Sequence, residues 1–348
     1  MRLTMGLSFF LAFGLLFGAC KEKPTPKPPV VVTPDYLTKG ADISWLPQME
    51  ATGYTFYDEN GQVADPIDLL VARGINAVRL RVFVHPSTDK INGHCSPEET
   101  VQLALRAKQK GLKIMIDFHY SDTWADPAHQ SKPATWANCS LSALQDSVYA
   151  HTYHTLDLLK QAGVSPKWVQ IGNEIPSGFL WPEGHTDHAA QMASLLNKGY
   201  DACKAIDSSI QVIVHIDQGN DNARFRWFFD LAVANGLHFD IIGASYYPYW
   251  LGSDYTATIA ALQNNLKDMV SRYQKPVMVV EVGGPSTQVQ NTLDLLNATI
   301  SATRAVPNQQ GLGVFYWEPE GATSWSGYTL NCWQSNGRPS PALDAFLN

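Results

Sequence analysis

The sequence predicts an α/β fold: a single-domain (β/α)8 TIM barrel over residues 37–348. Three observations predict it. Eight apolar runs rich in β-branched and aromatic residues recur along the chain, with amphipathic helical stretches between them. The runs are nearly continuous rather than alternating, as expected of parallel strands covered on both faces. Glycine marks helix ends ahead of the next run, where it can adopt the left-handed cap conformation. In order, the strands are read at residues 39–45, 77–84, 113–120, 168–173, 211–217, 239–246, 276–282 and 311–317. Helical periodicity is clearest at 97–110, 141–161, 188–206 and 257–273, and the cap glycines include Gly74 and Gly111. An open doubly wound sheet is the alternative, but no Gly-rich phosphate loop follows the first strand.

Composition excludes several function classes. The 348 residues carry a formal charge of −7 with no basic stripe, which argues against a nucleic-acid partner. With 45% hydrophobic residues the chain can build a large core and is not a disordered polymer. Ten tryptophans suggest flat apolar faces of the kind that sugar rings stack on, although a large core accounts for them equally well.

Residues 1–36 are read as lying outside the fold. Met1-Arg2 precedes an apolar run from Leu7 to Ala19, which has the length of a signal-peptide core rather than of a membrane span. The run ends Leu16-Phe17-Gly18-Ala19-Cys20, which resembles a bacterial lipobox. Residues 1–19 are therefore expected to be a lipoprotein signal peptide, with Cys20 lipidated; an ordinary cleaved signal is the alternative. Residues 20–36 form a Pro-rich spacer with polyproline II character. Export implies an oxidising environment for Cys95, Cys139, Cys203 and Cys332. Cys95 and Cys139 fall in loops and are candidates for pairing, whereas Cys203 lies in a helical pattern as a small apolar residue. The expected location is the bacterial outer membrane, facing the cell surface, with the membrane touched only through the lipid anchor.

A barrel places its chemistry at the carboxyl ends of the strands. Those ends carry Arg79 and Arg81; Asp117, His119 and Tyr120; Asn173-Glu174; His215 and Asp217; Tyr246-Tyr247; Glu281; and Trp317-Glu318. Any one of them is ordinary as a solvated loop residue or a structural ion pair, but seven strand ends of the same character are not. Glu174 and Glu281 each end a strongly apolar strand, on strands four and seven, so their carboxyl groups should share a partly desolvated cavity where pKa values move. Two such groups can flank one glycosidic bond, one attacking the anomeric carbon and the other protonating the leaving oxygen.

The run Ser121-Asp122-Thr123-Trp124-Ala125-Asp126-Pro127-Ala128-His129-Gln130, preceded by Asp117-Phe118-His119-Tyr120, closely resembles the signature of glycoside hydrolase family 53, the endo-β-1,4-galactanases. Further matches follow in order, including Gly40-Ala41-Asp42, Arg79-Leu80-Arg81, Gly172-Asn173-Glu174, Ser245-Tyr246-Tyr247-Pro248 and Tyr316-Trp317-Glu318-Pro319. The resemblance implies a retaining mechanism with Glu174 as general acid/base and Glu281 as nucleophile. It further implies Asn173 on the sugar 2-hydroxyl, Arg79 and Tyr247 on the nucleophile, and Trp317 as the floor under the reacting sugar. His119, Trp124 and His129 are expected to line the same site, with Asp217 and Trp181 at neighbouring subsites. The expected partner is β-1,4-galactan or arabinogalactan, and the expected working form is a monomer without cofactor or metal.

Two departures from the family pattern stand out. The acidic calcium-binding loop of several bacterial relatives is missing after Glu281, and Glu320-Gly321 replaces the usual Ala-Trp. Both loops are expected to border the outer subsites. A mannanase-like retaining endo-glycanase and a non-catalytic glycan-binding lipoprotein remain as alternatives.

Overall fold

Eight parallel strands pair in sequence order and close on themselves in a computed structural model, which describes residues 36–348. They are β1 (Thr38–Asp42), β2 (Ala77–Val82), β3 (Lys113–Phe118), β4 (Trp168–Ile171), β5 (Gln211–Ile216), β6 (Ile241–Tyr246), β7 (Val277–Val282) and β8 (Gly311–Tyr316). Around them run α1 (Pro66–Ala72), α2 (Pro97–Gln109), α3 (Leu141–Gln161), α4 (Ala189–Ile206), α5 (Asn222–Ala234), α6 (Tyr255–Tyr273) and α7 (Val289–Arg304). The barrel reading is correct in strand number, order and direction. After β8 the outer ring is completed by a 3-10 segment, Pro341–Leu347, packed on α7. The expected signal peptide, Cys20 and most of the Pro-rich spacer lie outside the described residues.

Local sequence explains the helix ends. Ser96 caps α2 in a reciprocal capping box with Glu99, and Pro97 occupies the first turn. Gly74 and Gly111 follow α1 and α2 at φ 89° and 81°, the left-handed conformation expected of them.

Every residue of β2 is buried, as is all of β3 after Lys113, which is why these strands read as unbroken apolar runs. Met115, Trp168, Ile213, Met278 and Phe315 fill the barrel interior as a core of their own. Gly40 makes room for one of them: a Cβ there would lie 2.1 Å from the Phe315 ring. The four cysteines among the described residues are free thiols, so Cys95 and Cys139 are not joined; Cys95 is buried and faces the Ser44 carbonyl at 3.7 Å. Cys203 is buried in α4, as its pattern suggested.

Candidate active site

The carboxyl end of the barrel opens into a cavity of about 490 Å³. Glu174, Glu281, His119, Trp124, Asn173, Asp217, Tyr247 and Trp317 all line it. Four residues that follow strands, Tyr120, Glu174, Gln218 and Glu318, hold positive φ between 42° and 54°. Each such non-glycine position costs on the order of 1–3 kcal/mol, and conformations of this kind cluster at functional sites.

Arg79 lies beneath the cavity floor, fully buried in β2. Its guanidinium reaches Glu281 at 2.9 Å, Asp117 at 2.8 Å and Asp42 at 2.9 Å, and donates to Asn173 Oδ1 at 2.8 Å. One rigid cation thus orients the nucleophile candidate and its neighbouring amide together. Tyr247 donates to the other oxygen of Glu281 at 3.2 Å. Burial pushes the Glu281 carboxyl above the usual carboxylate range, while Arg79 pulls it back. At Asp117 burial also acts upward, but Arg79 and His119 outweigh it and hold the group low.

Glu174 stands in a different environment. Burial raises its carboxyl well above the usual range, and the charge of Glu281 adds to the rise. Ser245 donates to Glu174 Oε1 at 2.6 Å, and His215 Nε2 lies 2.7 Å from the same hydroxyl oxygen. His215 Nδ1 lies between the Glu174 backbone N–H at 3.4 Å and Asn173 Oδ1 at 3.2 Å, so the ring bridges the acid's strand end to Ser245. Burial and Arg79 keep His215 well below its ordinary pKa, so the ring is neutral. Ser245 reaches this position at a shift of register between β6 and β7, a type of irregularity that re-aims side chains beside active sites.

Asn173 is held by Arg79 and by donation of its own amide to the Ala125 carbonyl at 2.8 Å, which leaves one amide hydrogen for a ligand. His119 has both ring nitrogens engaged: Nδ1 accepts from the Ala125 N–H at 3.0 Å, and Nε2 faces Asp117 at 3.1 Å. It lines the cavity and ties down the loop that carries Trp124. Trp124, Trp317, Trp45 and Tyr328 form an edge-to-face cluster with centroid separations from 4.7 to 6.1 Å. Arg81 sits 4.3 Å from the Trp124 ring centroid and pairs with the buried Glu318.

Two expected site residues, His129 and Trp181, do not line the cavity. The His129 side chain is 73% exposed and pairs with Asp126 at 2.9 Å inside its own turn, which turns the ring outward from the cavity wall. Trp181 donates to the Ser177 carbonyl at 3.1 Å and meets His185 edge-on within its own loop. Glu320 is fully buried beside Glu318, with burial and that neighbour's charge pushing its carboxyl far up, and it does not line the cavity. Conversely, Ser245, Asn220, Trp250, Leu251 and Tyr328 line the cavity without having been singled out from the sequence. Ser245 stood within a recognised motif, whereas the others lie on loops whose course no periodicity predicts. Among the described residues, no cluster of three or more His, Cys, Asp or Glu is arranged to hold a metal ion.

Residues 38–346 match the family model "Glycosyl hydrolase family 53". An uncharacterized protein from the bgaB 5′ region of Niallia circulans is 39% identical over 328 residues, covering 84% of this chain and 87% of its own length. The arabinogalactan endo-β-1,4-galactanase of Thermothelomyces thermophilus is 34% identical over 304 residues, covering 81% of this chain and 89% of its own. The solved Ignisphaera aggregans GH53 catalytic domain superposes with a TM-score of 0.84 at 31% identity, covering 92% of this chain and 98% of that domain. With nearly the whole described chain matched in sequence and in structure, this protein belongs to glycosyl hydrolase family 53.

Proposed function

We propose that the chain is a retaining endo-β-1,4-galactanase acting on galactan or type I arabinogalactan, the side chains of pectin. The observation that carries the reading is the pair of buried carboxyl groups in unlike settings. Glu281 is clamped by a cation and a phenol, while Glu174 is desolvated and touched only by the neutral Ser245 hydroxyl. Such a pair divides naturally into a nucleophile that ionises first and an acid that keeps its proton. Glu281 attacks the anomeric carbon as Glu174 protonates the departing oxygen. Water then enters, gives its proton to the Glu174 carboxylate and releases the sugar with retained configuration. The remaining Asn173 amide hydrogen meets the sugar 2-hydroxyl, and Trp317 supports the C–H face of the ring. The T. thermophilus relative's activity on arabinogalactan supports galactan as the substrate.

The test is product release from β-1,4-galactan with mannan and carboxymethylcellulose alongside, resolved by chain length over time. Early mid-length galacto-oligosaccharides, and nothing from the other two polymers, are expected. Release from mannan instead, or from none of the three, overturns the reading.

The pH profile carries a second test. Activity requires Glu281 ionised, so it falls as pH drops through that group; it requires Glu174 protonated, so it falls as pH rises through the other. Both limbs should lie above the ordinary carboxylate range because burial raises both groups. Ser245→Ala removes a donor that favours the ionised form of Glu174, so the alkaline limb should move up by about one pH unit. An unmoved alkaline limb in kcat/KM profiles counts against Glu174 as the acid.

The proposed location is a lipid anchor at Cys20 that holds the barrel at the outer-membrane surface on its Pro-rich spacer, a reading supported by the lipobox-like sequence. Cys20→Ala should move the protein from the membrane to the soluble fraction. Continued fractionation with membranes refutes the anchor.

A further inference from the structure

Beside the aromatic cluster lies a group of buried charges that the chemistry above does not use. Asp42 on β1, Arg81 on β2, and Glu318 and Glu320 after β8 are at most 1% exposed. Glu318 is fully engaged: its carboxylate takes Arg81 Nη1 and receives the Trp45 backbone N–H at 3.1 and 3.2 Å. Arg81 offers nothing to Glu320. Its Nε and Nη2 have no acceptor among the described residues, and its guanidinium lies 4.3 Å from the Trp124 ring centroid. Among the described residues, no other residue's N–H or backbone amide donates to either oxygen of Glu320. Its side chain instead meets the Glu318 carboxyl in a hydrogen bond. Two carboxyl groups in buried contact do not both ionise. The cation belongs to Glu318, so Glu320 carries the proton and donates it into the bond.

Glu318 passes this restraint to the cavity. It follows Trp317 in the chain and holds Trp45 by its backbone. The Trp45 ring meets Trp317 at 5.1 Å and Trp124 at 5.9 Å, both edge-to-face, and the latter two line the cavity. The turn after Glu320 is tight against the same indole: a Cβ on Gly321 would lie 2.7 Å from the Trp45 ring. We infer that Glu320 is a positioning residue, a carboxylic acid whose hydrogen bond to Glu318 locks Trp45, Trp124 and Trp317 into one face for the substrate sugar. Only the sugar's identity rests on the proposed function. When Glu320 yields its proton to a base in solvent, two touching carboxylates share one cation and repel, and the platform loosens. Asp42 from β1 opposes that ionisation and Arg81 from β2 stays charged on Glu318. Burial pushes the Cys95 thiol up to about 12 and raises the Tyr328 phenol, so these two neighbours of the pair stay neutral.

The experiment compares wild type, Glu320→Gln and Glu320→Leu across pH. Glutamine donates an amide N–H to Glu318 and has no proton to lose; leucine has no donor. Two readouts need no sugar. Near-ultraviolet circular dichroism of the packed tryptophans should change with rising pH in wild type and keep its low-pH form in Glu320→Gln. Burial raises Glu320, so the stability held by its proton is present at low pH and lost as pH rises through the raised value. Over that window the unfolding constant of wild type should climb by about tenfold more per pH unit than that of Glu320→Gln. On β-1,4-galactan, KM of wild type should rise with pH by roughly threefold to tenfold more than KM of Glu320→Gln. The alkaline fall in kcat, set by Glu174 in both proteins, should coincide. Glu320→Leu should show the raised KM already at low pH, again by roughly threefold to tenfold. Parallel dichroism and KM profiles in wild type and Glu320→Gln overturn the inference, as does a folded Glu320→Leu with wild-type KM. Glu320→Gln decides on its own where Glu320→Leu does not fold. Wild-type enzyme that leaves galactan intact defeats the substrate reading instead, and the dichroism and unfolding profiles still decide the role of Glu320.

Discussion

Replacing Glu281 with glutamine should lower turnover on galactan by on the order of 10⁴-fold or more, while binding of galacto-oligosaccharides stays close to wild type. The geometry explains the split. Glu281 receives Arg79 on one oxygen and Tyr247 on the other, so its carboxyl is aimed at the cavity floor and both neighbours favour its ionised form. A neutral amide of the same shape keeps the volume and loses the attacking charge, so substrate can enter and no ester can form. Because buried Arg79 also faces Asp117 and Asp42, removing one carboxylate does not strand the cation. Calorimetric titration with galactotetraose checks binding, and reducing-sugar release checks turnover. A glutamine variant with substantial galactanase activity removes Glu281 from the nucleophile role. The shorter variant Glu281→Gly adds a sharper readout: azide can enter from the vacated face and convert an activated aryl β-glycoside to the α-glycosyl azide.

Glu174→Ala should produce a different deficit, graded by leaving group. On galactan, where the departing oxygen needs a proton, turnover should fall by roughly 10²- to 10⁴-fold. A dinitrophenyl glycoside leaves without that proton, so the first step should survive and the glycosyl-enzyme should accumulate, giving a burst followed by slow hydrolysis. Azide, which needs no base, should accelerate the second step and give the β-glycosyl azide. Equal losses for good and poor leaving groups, with no burst, contradict the acid/base assignment. The difference from Glu281 follows from surroundings alone, since the Ser245 hydroxyl, backed by the neutral His215, meets Glu174 where Arg79 meets its partner.

The barrel was legible because its strands are buried on both faces and therefore stand out as apolar runs between helical periods. Their ends were less legible. The first strand reads as 39–45, yet the ladder stops at Asp42, since Ser44 and Trp45 are buried by the site and not by pairing. The helix read from 257 begins at Tyr255, because the Asp254 side chain accepts from the Thr256 N–H and starts it earlier. The rule that chemistry sits at strand ends points to Arg79, His119, Glu174, Tyr247, Glu281 and Trp317, which lie in or beneath one cavity. Where a loop decides, the rule says less. His129 belongs to the recognised motif, but its turn spends the ring on Asp126. Trp250 and Tyr328 arrive from connections whose path depends on tertiary packing, and the aim of Ser245 depends on a register shift that no side-chain pattern announces. Glu320 lies on a loop expected to border the outer subsites, and its own carboxyl is buried beside Glu318, the partner of Arg81.

The most direct test of the central claim, that Glu281 and Glu174 work as a retaining pair on β-1,4-galactan, is the anomeric configuration of the first product. Proton NMR of short galacto-oligosaccharides during the first minutes of hydrolysis, before mutarotation, should show the β-anomer at the new reducing end, with the α-anomer growing in later. An α-anomer formed first means that water attacked directly and no ester to Glu281 exists, which contradicts the account.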